Sequence, residues 1–335
     1  MAEPFFFKLA GEVWAYGDGI LLDGEVDLVT GKKAASAMVE LADPQLELAN
    51  RLPLPTRDTK IPFELFVGAG RSPSRLFSGF LSSLEPEWPP GRLKLMAVDK
   101  LKNARRRKVA TSRASLSIEQ LGRRIAKEYD IKLDTSRATL KELRAVGRVL
   151  QHGETDFELL ERLCELAGHS VYVSEEALEI IDDAASIASG EEVLRLRLGE
   201  QIRGPVKFKL VERTSSTTSR ITDYKGEVYE RGEEEDGASA TQVVRHVSGV
   251  SKPDADTPSF SDGAIESARK SLMSAKKVFE ASVTVDLALA AKPHQVVTLE
   301  GYGARFDGAW RIDRAKHRLK PPQTTQLDIY NGGAK

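Results

Sequence analysis

Apolar residues in the first hundred positions come in short runs, many of them alternating with polar ones. Gly11–Trp14, Ile20–Leu22, Val26–Val29, Ala37–Leu41 and Phe63–Val67 are such runs, and Gly, Asp, Asn and Pro separate them. That pattern predicts strands and turns rather than packed helices. Gly17-Asp18-Gly19 and Asp23-Gly24 are turn candidates. Leu52–Pro55 and Glu85–Gly91 are Pro-rich and read as loops, with further strands at Leu76–Leu84 and Leu93–Val98.

The period changes after residue 116. From Ser117 to Tyr129, Ile118, Leu121, Ile125 and Tyr129 fall on one helical face, and Ser117 with Gln120 forms a capping box. A second helix opens at Thr155, with Glu158 as its reciprocal cap. It places Phe157, Leu160, Leu163, Cys164 and Ala167 on one stripe and stops at Gly168. Ser170–Ser174 and Leu178–Ile181 follow as a β-hairpin.

Strands return near Gly204, at Val206–Val211, Ser219–Tyr224 and Glu227–Tyr229. The acidic run Glu233-Glu234-Glu235-Asp236-Gly237 reads as a solvated loop and Ser248–Ser261 as a long loop. Ala264 to Phe279 is a helix candidate. Ala281–Leu289, Gln295–Leu299, Gly308–Ile312 and Thr325–Tyr330 close the chain as strands. The expected fold class is α+β and mainly β: two β domains, residues 1–100 and 200–335, flank a helical insert at 101–199.

Composition narrows the function. A chain of 335 residues has room for two or three cores, and 49 basic against 50 acidic residues leave a formal net charge of −1. No global attraction to nucleic acid or to anionic membrane follows. One cysteine, Cys164, excludes an internal disulfide, and its place on an apolar stripe makes it a buried hydrophobe. The start, Met1-Ala2-Glu3-Pro4-Phe5, lacks the basic region of a signal peptide, and no run approaches the roughly 20 apolar residues of a membrane span. Synthesis in the cytoplasm without a membrane anchor is expected.

Catalytic signatures are not found. Gly31-Lys32-Lys33 lacks the remainder of a phosphate-binding loop and reads as a turn; Gly301-Tyr302-Gly303 reads as a hairpin tip. His152, His169, His246, His294 and His317 are scattered, without metal-ligand spacing. No catalytic, cofactor-binding or metal-ligating residue is singled out. A basic cluster, Lys100, Lys102, Arg105, Arg106, Arg107, Lys108 and Arg113, reads best as a solvated loop or subunit-contact surface. Phosphate contact is the alternative, weakened by the lack of aromatic residues for base stacking.

Residues 150–168, from Leu150-Gln151-His152-Gly153-Glu154-Thr155-Asp156-Phe157 to Gly168, resemble a stretch of phage late control protein D and of the hub portion of VgrG spike proteins, where an aromatic-bearing strand follows; here Val171-Tyr172-Val173 stands in that place. Gly308-Ala309-Trp310-Arg311-Ile312, His317-Arg318-Leu319 and Thr324-Thr325-Gln326-Leu327 resemble the C-terminal end of the same family. The resemblance implies two tail-tube-like barrels per chain and a homotrimer that joins a six-fold tail tube to a three-fold central spike. It also implies baseplate wedge proteins and the tape measure protein as neighbours, and a virion or injection-system particle as location. The spike is expected on a separate chain, because an oligosaccharide-binding-fold domain and a β-helical needle do not follow residue 335. The competing expectation is a tail-associated peptidoglycan hydrolase.

Overall fold

The computed structural model describes residues 3–30, 34–56, 59–68, 73–102, 104–105, 108–138, 143–144, 147–167, 169–174, 177–182, 192–200, 202–210, 216–222, 228–236, 239–246 and 279–331. Gly31-Lys32-Lys33, Ser248–Ser261 and the helix candidate up to residue 278 lie outside them.

The first region holds β1 (Phe5–Leu9), β2 (Glu12–Ala15), β3 (Leu21–Val29), β4 (Ser36–Ala42), a short helix α1 (Glu47–Arg51), β5 (Pro62–Val67), β6 (Ser74–Glu87) and β7 (Arg92–Asp99). Strict alternation in β4 and β7 buries Ala37, Val39, Leu41, Leu93, Leu95 and Ala97 on one face and turns Glu40 and Lys94 outward. Strand β1 was not expected. Its unbroken Phe5-Phe6-Phe7 run hides the alternation, yet Phe5 and Phe7 enter the core while Phe6 stacks on Phe66 outside it. Asp23-Gly24 is not a turn but the interior of β3, next to a register shift. Glycine fits there because a Cβ on Gly24 would lie 2.7 Å from the Phe5 ring. The expected loop at Glu85–Gly91 shrinks to residues 88–91, since Glu85, Pro86 and Glu87 extend β6.

The middle region holds β8 (Lys108–Leu116), α2 (Ile118–Glu128), β9 (Lys132–Asp134), β10 (Gly147–Thr155), α3 (Asp156–Leu166), β11 (His169–Val173) and β12 (Ala177–Asp182). Both helices start where their caps say. Ser117 accepts from the Gln120 N–H at 3.1 Å, and Thr155 accepts from the Glu158 N–H at 3.1 Å. Strands β11 and β12 form the expected antiparallel pair, and β9 joins β12 in parallel. A core of Leu121, Ile125, Phe157, Leu160, Cys164 and Ile180 ties them together. Strands β8 and β10 pair antiparallel, so Lys108 and Arg113 of the basic cluster, for which a solvated loop or a subunit-contact surface was expected, belong to a strand. Arg113 lies opposite Val149 and Lys108 opposite Thr155, so no like charge sits across the ladder.

The last region holds β13 (Glu192–Arg197), β14 (Lys207–Leu210), β15 (Ser216–Thr222), β16 (Val228–Asp236), β17 (Ser239–His246), β18 (Phe279–Asp286), β19 (Val296–Glu300), β20 (Gly308–Arg318) and β21 (Thr324–Asn331). Glu233, Glu234, Glu235 and Asp236 are strand, not loop: β16 runs between β15 and β17, and each acid faces a neutral residue such as Thr217, Gln242 or Ser239. The Ala281–Leu289 run leaves the sheet after Asp286, and Leu287 and Leu289 pack against the first core instead. Gly301-Tyr302-Gly303 lies between antiparallel β19 and β20, as expected of a hairpin tip.

Among the described residues thirteen strands share one sheet, ordered β14-β18-β21-β20-β3-β4-β7-β6-β5-β1-β2, with β19 beside β20 and β13 beside β19. Within it one unit occurs twice. In β3-β4-β7-β6 with β5 on the far side of β6, and in β14-β18-β21-β20 with β19 on the far side of β20, the strands take the same order and the same antiparallel senses. One irregularity matches too. Strand β6 shifts register between Leu81 and Ser83 against β7, and β20 shifts between Ile312 and Arg314 against β21. Just before the shift, the Leu81 N–H donates to Ile61 and the Ile312 N–H to Gln295, each at 2.9 Å. Superposing the ladders matches Val39 with Val283 and Leu95 with Leu327, all buried. The fold is therefore α+β and mainly β, with two copies of a five-strand unit on one curled sheet.

Candidate assembly surfaces

Side chains singled out by the sequence do structural work at the junctions between regions. Arg105 of the basic cluster is not solvated. Its guanidinium meets Asp99 at 2.6 Å and lies 4.2 Å from the Phe157 ring centre. Asp99, at the end of β7, also accepts the backbone N–H groups of Ala35 and Leu101. Burial pushes its carboxyl upward, while Arg105 and those donors pull it down. The first sheet thus reaches the middle core through an acid, a guanidinium and an aromatic ring. Sequence spacing gave no signal of this contact.

The Gln151–Gly168 motif is a bracket built on itself. Gln151 Nε2 donates to Asp156 Oδ1 at 2.9 Å and Arg124 of α2 donates to Asp156 Oδ2 at 2.7 Å, while Arg162 holds Glu154 at 2.6 Å. Phe157 is 1% exposed and Cys164 is buried. Such an arrangement orients α3; it presents no nucleophile with a base beside it.

The C-terminal motif lies in β20 and β21. Trp310 is buried and donates its indole N–H to the Phe306 carbonyl at 2.8 Å. Arg311, also buried, meets His294 Nδ1, whose ring stands edge-on to Tyr172 of β11 at 5.8 Å. His169 contacts the Ala167 carbonyl at 2.8 Å, and His317 contacts Thr325 Oγ1 at 3.0 Å. These three histidines therefore sit in three separate contacts. The side chains of His152 and His246 lie outside the described residues, and among the described residues no group of His, Cys, Asp and Glu could hold a metal ion. No described helix is long and apolar enough to cross a membrane.

His317 carries a pH prediction. Burial lowers its pKa from the ordinary 6.5 to about 4. Between those values the unfolded chain binds a proton that the folded chain refuses, so stability falls as pH drops from about 6.5 to 4, by up to about 3 kcal/mol. Urea titrations of wild type and His317→Gln at pH 7 and 4.5 check this. The variant should lose less on acidification, and an equal loss would exclude His317 as the source.

On the polar face the seam between the two units is charged. Glu25 and Asp27 of β3 lie beside Arg314, Lys316 and Arg318 of β20: Asp27–Arg314 closes at 2.6 Å, Glu25–Lys316 at 2.8 Å and Glu25–Arg318 at 3.6 Å. Two stretches of the sheet have no strand partner among the described residues. One is the side of β14 away from β18; the other is the side of β6 away from β7, beyond Phe80, where β5 stops. Trp88, in the turn after β6, is 63% exposed.

Solved structures share this architecture. A prophage tail protein of Shewanella oneidensis is similar with a TM-score of 0.68 at 13% identity, over 99% of both chains. A tail protein of Neisseria meningitidis gives 0.68 at 12% identity, over 99% of this chain and 98% of that one. An Escherichia coli type VI secretion component, described as structurally similar to T4 phage tail proteins, gives 0.60 at 13% identity over 96% of this chain and 76% of that one. No curated protein matches the sequence. The model of the phage tail baseplate hub family matches residues 60–323, which include the helical bracket, the C-terminal motif up to Leu319 and seven of the ten strands of the two repeated units; the chain belongs to the phage tail baseplate hub (GPD) family.

Proposed function

We propose that this hub protein is a symmetry adaptor: a homotrimer whose six repeated units match a six-fold tail tube on one side, while its three-fold symmetry matches a central spike on the other. The repeat carries the reading. Two units with the same strand order, the same register shift and the same preceding hydrogen bond can occupy equivalent places around an axis. Three chains then supply six such places. Residues 1–100 and 200–335 form the two tube-like domains in this reading, and 101–199 form the insert clamped to them through Arg105 and Arg311.

The work is mechanical. Binding energy is spread over large subunit interfaces and no bond is made or broken. Tube, spike and wedge proteins are the partners, with the tape measure protein as a further contact, and the place of action is the tail baseplate of a virion or a related injection particle.

Sedimentation equilibrium of the purified 36.8 kDa chain tests the stoichiometry. A closed trimer gives about 110 kDa. Monomer alone, with and without the spike protein, would remove the basis for the adaptor.

A further inference from the structure

Resting on the trimeric reading, we infer the surface through which copies join: β14 of one subunit pairs with the end of β6 in the next, in a defined register. The molecule contains its own template for that contact. Within the chain, β3 of the first unit lies antiparallel to the end of β20 in the second, with Glu25 opposite Arg318, Val26 opposite His317 and Asp27 opposite Lys316. Strand β14 holds in the second unit the place that β3 holds in the first, and β6 holds the place of β20.

The ladders fix the correspondence residue by residue. Lys207 and Lys209 match Glu25 and Asp27, while Glu85 and Glu87 match Lys316 and Arg318. Copying the internal contact onto the two unpartnered stretches therefore sets Lys207 opposite Glu87 and Lys209 opposite Glu85.

Charge agrees with this register. The internal seam has acids on β3 and bases on β20; the intersubunit seam has bases on β14 and acids on β6. All four side chains are exposed in the single chain. In the opposite pairing, β14 to β14 or β6 to β6, like charges would meet, which disfavours a two-fold dimer. Pro86 falls opposite Phe208, where it supplies a carbonyl but no N–H. A proline is tolerated on a strand edge, and one ladder bond is missing there.

Charge reversal provides the test, with mass measured by sedimentation and folding checked by circular dichroism. The variant Lys207→Glu, at a position that faces neutral Ser282 within its own chain, should stay folded and trimerise at least tenfold more weakly. Adding Glu87→Gln to the same chain removes the facing acid and should recover most of the lost affinity. If the first variant trimerises as tightly as wild type, or the double variant fails to recover, the proposed register is wrong although the trimer stands. If wild type is itself monomeric, the underlying adaptor reading fails first.

Discussion

Phe157→Ala should lower the stability of the protein by about 3–5 kcal/mol, the range for removing a buried aromatic side chain. The ring is 1% exposed, belongs to the middle core with Leu121, Leu160 and Ile180, and carries the Arg105 guanidinium on its face. Truncation empties the site from below and leaves Arg105 without its platform. Urea unfolding followed by circular dichroism measures the loss. A change under about 1 kcal/mol would mean that the site collapses around the missing ring and that Phe157 is not an anchor.

Arg105→Ala should be of comparable size, about 3–5 kcal/mol, for a different reason. It strips the cation from Asp99, whose side chain is 4% exposed, and a buried carboxylate left without its partner is costly. The sign of the pH dependence separates the two variants. The Asp99 carboxyl already titrates above its ordinary value because it is buried, and loss of Arg105 raises it further. The folded variant then takes up a proton that the unfolded chain does not hold, so its deficit against wild type shrinks as pH falls through that raised pKa. Phe157→Ala has no such term. Because the two residues touch, the double variant should cost less than the sum of the single ones. Strict additivity would show that the ring and the guanidinium act separately.

Parts of this arrangement are legible in the sequence because local chemistry decides them. Ser117/Gln120 and Thr155/Glu158 announce helix starts, since caps satisfy backbone groups within three residues. The alternation in β4 and β7 announces half-buried strands. Strands rich in charged residues are harder to read. Lys108 to Leu116 resembles a basic loop until β10 is placed opposite it, and the acids of β16 resemble a solvated loop until their neutral neighbours across the ladder are known.

The repeat is hidden more thoroughly. Buried positions such as Val39 and Val283 keep their identity, but many equivalent positions share only a face of the sheet: Glu25 corresponds to Lys207 and Asp27 to Lys209, while Gly79 corresponds to Trp310. Gly79 leaves room where a Cβ would lie 2.1 Å from the Val98 carbonyl oxygen, whereas Trp310 fills the core of the other unit. Hydrogen-bond register shows the relationship where side-chain chemistry differs. Only long-range pairing exposes it.

Electron microscopy of the purified protein bears most directly on the claim that duplicated units, tripled, form a ring. The expected image is a three-fold ring with six similar lobes around a channel and continuous strand density between neighbouring chains. Isolated two-lobed monomers, or an assembly in which the two units occupy inequivalent radii, would contradict it.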